Sequence, residues 1–225
     1  MKGKRAAGSR LRVALELVLV AGGAGLILYF TSRWRGGGLL TWLTPALLLY
    51  APVIALLATD RDFAGAGLQA PAGRKARSDL AGFVLVVLPL FLLGYYLLGR
   101  LFLGLTFQPR WPGGLLELCL WQLLGVALPE EVFFRGWMQG RLDRLFGLRF
   151  RALSARVGPG LFIAAAAFAA AHLLVQPRPS RLLVFFPGLL FGYYRERSGS
   201  VAVPAMAHAL GNVAFLILQS WAAPG

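Results

Sequence analysis

One cysteine, Cys119, two histidines, three lysines and nine acids are all that 225 residues hold of these types, against 23 basic side chains in total. A lone cysteine excludes an internal disulfide and a thiolate metal cluster. No internal repeat or low-complexity linker is present, and the H-E-x-x-H spacing of a helical zinc site is missing. The net charge of +14 would point to nucleic acid in a soluble protein. Here the basic residues lie between apolar runs, without an aromatic-interleaved patch or a nucleic-acid fold signature, so no nucleic-acid partner is expected. What fills the chain is hydrophobic: 58% of residues, with a mean hydropathy of +0.67.

The apolar runs are Leu15 to Phe30, Leu39 to Thr59, Leu80 to Leu98, Leu115 onward, Leu161 to Val175, Leu182 to Tyr194 and Val201 to Trp221. They predict an all-α fold, a polytopic transmembrane helical bundle of about seven spans, forming one integral-membrane domain over residues 1–225. The sixth run is the shortest. The basic start MKGKRAAGSRLR is signal-like, but no A-x-A-like cleavage site follows it and more spans come after. The first run is therefore read as a membrane helix, with Glu16 a minor irritant near its beginning. Membrane lipid is then an obligatory partner.

The basic residues orient the bundle. With a cytoplasmic N-terminus, sixteen Lys and Arg fall in inner segments and six in outer ones, leaving Arg135 inside the membrane. That asymmetry predicts the N-terminus in and the C-terminus out. Trp34, Trp42, Trp111 and Trp221 then fall at outer boundaries, as an interfacial belt requires. The Arg-over-Lys bias and abundant Gly and Ala hint at a high-GC bacterial genome, and the expected location is a bacterial inner membrane.

Within this apolar chain, Glu130 and Glu131 sit some 15 residues into the fourth run, about 20 Å deep at the helical rise. A carboxylate at that depth costs several kcal/mol unless paired, protonated or hydrated. Arg135, four residues after Glu131, shares its helix face and can neutralise it. Glu130 points about 100° away and is left for another partner. His172, His208 and Asn212 reach a similar depth on two later spans, with His208 and Asn212 four apart on one face.

Singly, each has a bland explanation: an ion pair for Glu131 and Arg135, packing for Phe168 and the histidines, interhelical glue for Asn212. Together, an acid, two histidines and an amide from three helices at one depth suit hydrolysis. A buried Glu takes a proton from water with a His sharing the task, and a second His and an amide donate to an oxyanion. No serine nucleophile lies near the set. Water activation without a cofactor is the simplest account. Zinc on Glu130, His172 and His208 is the competing one.

The motifs Glu130-Glu131-Val-Phe-Phe-Arg135, Phe168-Ala-Ala-Ala-His172 and His208-Ala-Leu-Gly-Asn212, in that order, resemble those of the CPBP intramembrane proteases, which include the type II CAAX prenyl endopeptidases and bacterial Abi proteins. The resemblance covers roughly Leu115 to Trp221, a catalytic core of residues 115–221. It implies that Glu130 is the general base assisted by His172, that His208 and Asn212 form the oxyanion hole, and that Glu131 and Arg135 hold the site together. It also implies a membrane-associated or exported protein or peptide as substrate, such as a C-terminal tail. A prenylated CAAX tail suits a bacterial chain poorly. Processing of a sorting signal or maturation of a secreted peptide suits it better. The rival readings are a catalytically silent scaffold or immunity protein, which would tolerate Glu130→Gln, and a proton-coupled transporter, which would need an inverted repeat that the sequence lacks.

Overall fold

Seven helices lie where the apolar runs place them, in a computed structural model that describes residues 2–33, 39–71 and 73–224. They are α1 (Lys2–Arg33), α2 (Leu39–Ala58), α3 (Gly73–Phe102), α4 (residues 115–146), α5 (Pro159–Val175), α6 (Phe185–Ser198) and α7 (Ala202–Trp221). Trp34 and Arg35, expected at a membrane boundary, lie outside the described residues. By length and hydropathy, α1, α3 and α7 can each cross a bilayer unaided. Helix α6, the short sixth run, has 14 residues and rises about 21 Å, less than a full bilayer, and the tight helical turn Pro179–Val184 leads into it. The protein is an integral membrane protein. Exposed Leu85, Leu101, Phe102 and Leu116, each above 70% accessible, make sense only against lipid.

Two helices carry widened i→i+5 turns ahead of a proline. Phe83–Val87 precedes Pro89 in α3, and Trp121–Ala127 precedes Pro129 in α4. Proline has no N–H to donate, and its ring crowds the carbonyl four residues earlier, so a wider turn relieves both problems without ending the helix. A third wide stretch, Val132–Gln139, follows the glutamate pair directly. Such turns rotate side chains away from ideal helical phase, so faces along α4 cannot be read at 100° per residue.

Two short antiparallel ribbons, absent from the sequence reading, tie helix ends together. Leu105–Phe107 pairs with Ala222–Pro224, and Phe150–Ala152 pairs with Ala155–Val157. The first joins the outgoing end of α3 to the end of α7, beside Trp111 and Trp221, whose rings meet edge to face at 6.5 Å. The second lies at the opposite end with Arg149, Arg151 and Arg156. These ends are called the tryptophan end and the arginine end.

Glu16 is no irritant. Its Oε1 accepts from Trp137 Nε1 at 2.7 Å and Arg141 Nε at 2.8 Å, clamping α1 onto α4. A carboxylate on an apolar helix is costly alone, but two donors from one neighbour offset that cost. Glu16→Leu strands both donors, and should lower stability by about 1–3 kcal/mol. Thermal unfolding in detergent measures the loss, and an unchanged midpoint would show that the clamp carries no weight.

The segment between α2 and α3, residues 60–69, forms a strap across the arginine end. Asp60 meets Arg141 at 2.8 and 3.0 Å and also pairs with Arg144, which holds Asp62 as well. Burial works against the Asp60 carboxylate, but its two guanidinium partners outweigh that and hold its pKa below the ordinary value. The strap backbone runs over Gly136 and Gly140 of α4, where an added Cβ would come within 2.8 Å of the Ala66 and Gly65 carbonyls. This spacing of small residues serves a loop rather than a second helix. At the α6–α7 turn, Val201 N donates to Gly67 O at 3.0 Å, Ser200 Oγ to Gln69 O at 2.6 Å and Gln69 Nε2 to Gly199 O at 3.2 Å.

Candidate active site

Glu131, Arg135 and His208 form the buried centre. The Glu131 and Arg135 side chains are completely inaccessible. Arg135 Nη1 donates to Glu131 Oε1 at 3.0 Å, and His208 Nδ1 lies 2.9 Å from the same oxygen. The carboxylate requires Nδ1 to carry its proton, which assigns the tautomer and turns Nε2 outward. That nitrogen is 3.8 Å from Glu130 Oε2. Glu130 Oε2 is buried and has no hydrogen-bond partner.

The pair is enclosed by aromatics. Arg135 Cζ lies 4.0 Å from the centroid of Phe168 and 5.6 Å from that of Phe191. Phe191 stacks on His208 with centroids 5.0 Å apart at 19°. Phe168 packs edge-on to both imidazoles, at 4.4 Å from His172 and 6.0 Å from His208. Phe168 thus packs against both imidazoles and lies under Arg135 as a cation–π partner. Helix α6 comes close enough to supply Phe191 because Gly188 faces Arg135, with an added Cβ only 3.3 Å from Nη2 and from Ala165. Gly188→Val should cost about 1–3 kcal/mol through overpacking, and Gly188→Ala less. Midpoints of thermal unfolding for the two variants, compared with wild type, check the order.

Five of the sequence-predicted residues converge: Glu130, Glu131, Arg135, Phe168 and His208. The other two stand differently. His172 directs Nδ1 to the Phe168 carbonyl at 3.0 Å and makes no hydrogen bond to Glu130. Asn212 Nδ2 donates to Gln122 Oε1 at 2.9 Å. The sequence reading missed Gln122, although an amide inside an apolar stretch of the glutamate-bearing helix was the signal that could have found it. Gln122 joins α4 to α7 about two turns beyond Glu130.

Glu130, His172 and His208 were also the candidate zinc ligands. Among the described residues no group of three His, Cys, Asp or Glu side chains is gathered to hold a metal ion. His208 Nδ1 is committed to Glu131 and His172 Nδ1 to a backbone carbonyl, which leaves Nε2 free on each ring, so these bonds neither assemble nor exclude a zinc site.

The motifs that meet in this centre fall within one family. The family described as Rce1-like, type II CAAX prenyl endopeptidase Rce1-like, matches residues 112–214. Residues 112–214 are similar to this family. The stretch runs from the residues just before α4 into α7 and includes every side chain of the Glu131–Arg135–His208 centre. No curated protein and no solved structure matches the chain. The match supports a CAAX-type intramembrane endopeptidase in general terms, and the membrane helices agree with that.

Proposed function

We propose that the protein hydrolyses a peptide bond in a membrane-associated or exported protein, with Glu130 activating water. The observation that carries this is the gap between Glu130 Oε2 and His208 Nε2. At 3.8 Å the two are too far apart to bond each other, yet a water about 2.8 Å from both fits beside them. Glu130 draws a proton from that water as the hydroxide attacks the scissile carbonyl, and passes it to the leaving amine as the C–N bond breaks. His208, pinned by Glu131, presents Nε2 to the same point and can donate to the developing oxyanion once protonated. The ion pair with Arg135 holds the Glu131 carboxylate in place and so keeps His208 in register. Asn212, one turn along α7, is the second candidate oxyanion donor. His172, in contact with Phe168, assists from the α5 side.

The natural substrates are C-terminal tails or sorting signals rather than prenylated CAAX tails, and the protein acts in a bacterial inner membrane with its N-terminus cytoplasmic and its C-terminus outside. The arginine end then faces the cytoplasm. The preferred mechanism uses no cofactor.

Mass-spectrometric mapping of protein termini in the native host tests the reading, with wild type, a deletion strain and Glu130→Gln compared at matched expression. Protease action requires the same set of uncleaved tails in the deletion and in Glu130→Gln. Normal termini in Glu130→Gln, with the deletion phenotype rescued, would return the cluster to a scaffold role.

A further inference from the structure

The packing of this protein is lopsided along its axis. In α4 every residue from 131 to 142 is buried, whereas from 115 to 130 only Gln122, Ala127 and Pro129 are. In α7 the buried positions end at Ala209, and none lies between 210 and 221. In α5 they end at Ala169, and none lies between 170 and 175. Helix α6 runs the other way, and its first buried residue is Gly188. In each case close packing begins at the level of the site and continues towards the arginine end. Glu130, part of whose side chain is accessible, stands on the boundary in α4.

Below that boundary the strap completes the seal. It lies on Gly136, five residues past Glu131, and its Gly67 carbonyl takes the N–H of Val201, seven residues before His208. These positions are about 10 Å from the site at the helical rise. The strap crosses the α4–α7 seam there, held by Arg141, Arg144 and Arg195 as well as by Ser200. A substrate coming from the arginine end would have to break this whole set.

The geometry points to a one-ended site: the path to Glu130 runs from the tryptophan end through the loosely packed halves of α4, α5 and α7, and the strap closes the arginine end. Residues 118–129 and 209–221 carry no charged side chain, so the segment that enters is apolar. Past Gln219 and Ser220 at the end of α7, Gln122 and Asn212 are the polar groups of these stretches on the way to Glu130. As a substrate path the inference rests on Glu130 being the reacting centre. Under the orientation proposed above, it gives access from the non-cytoplasmic side. Exported proteins and membrane-anchored segments would reach the site, and soluble cytoplasmic tails would not.

Sided thiol labelling separates access from catalysis. Glu130→Cys in a Cys119→Ser background is placed in sealed vesicles of each orientation, and a membrane-impermeant maleimide is added outside. Arg151→Cys, at the arginine-end ribbon, and Leu103→Cys, just past α3, report which end faces out. The inference expects Glu130→Cys to label in the vesicles where Leu103→Cys labels, faster by an order of magnitude or more than in the opposite orientation. Faster labelling alongside Arg151→Cys overturns it. Labelling from neither side, with reaction restored by membrane-permeant N-ethylmaleimide, also overturns it, because entry would then be from the bilayer alone. None of these readouts requires cleavage, so a failure of the protease reading would appear in the termini and not here.

Discussion

Glu130→Gln is expected to lower kcat of the purified protein by about 100- to 10,000-fold, the range that a positioned general base supplies, with its unfolding midpoint unchanged. The two halves of this expectation come from one fact. Glu130 Oε2 has no hydrogen-bond partner, and His208 Nε2, 3.8 Å from it, is beyond hydrogen-bond distance. The carboxylate therefore contributes little to the packed centre, and replacing it with an isosteric amide strands no donor. A side chain kept deep in a membrane with a buried, unpartnered oxygen is otherwise hard to justify, because desolvation costs it several kcal/mol. Turnover of a quenched peptide built on a tail found by termini mapping, measured beside thermal unfolding, checks both halves. Loss of activity together with loss of folding would instead make Glu130 part of the structural centre. Retained turnover would remove it from the chemistry.

The strap has a milder, pH-dependent signature. Because Asp60 is held below its ordinary pKa of 3.8, its ion pairs with Arg141 and Arg144 favour the folded loop above that pH. The contribution is lost as pH falls through the lowered value, so cleavage of residues 60–69 by an acid-active protease should rise with acidification. Asp60→Asn should remove that rise. An identical profile in wild type and variant would show that the loop is held by its backbone bonds alone.

How far the sequence disclosed this arrangement depends on the range of each interaction. The seven helices were legible because each apolar run is long and continuous. The Glu131–Arg135 pair was legible because its spacing is local to one helix, and Glu130 stood apart for the same reason. His208 and Phe168 were legible as members of ordered motifs, but not as partners of particular atoms. That His208 bonds Glu131 depends on how α7 crosses α4, which periodicity does not encode. Gln122 and Glu16 were visible as polar residues in apolar surroundings, a costly placement that should have been weighed more heavily. Their partners lie 90 or more residues away. The strap was hidden more completely. Gly136 and Gly140 suggest a helix–helix contact, and only the fold shows that backbone carbonyls of a loop occupy it.

The second large effect concerns the pair behind the site. Glu131→Gln and Arg135→Met should each cost about 3–5 kcal/mol, because either change leaves a buried charge without its counter-ion. Glu131→Gln removes the anion that balances Arg135 among Phe134, Phe168 and Phe191, and Arg135→Met leaves the buried Glu131 carboxylate with only the His208 Nδ1 contact. Arg135 already has two buried nitrogens, Nε and Nη2, without hydrogen-bond partners, so little around it can compensate. The double variant, Glu131→Gln with Arg135→Met, removes both charges and should be more stable than either single variant, since the coupling between paired buried charges makes such changes non-additive. Yet it should stay inactive. Its neutral amide no longer fixes the proton on His208 Nδ1, so Nε2 is no longer reliably turned towards Glu130 as an acceptor. Unfolding midpoints of the four proteins give the cycle, and turnover of the same four gives the functional half. Additive losses would mean that the pair is not coupled. A double variant that regains both folding and turnover would mean that Glu131 and Arg135 serve packing alone, and that His208 finds its orientation without them.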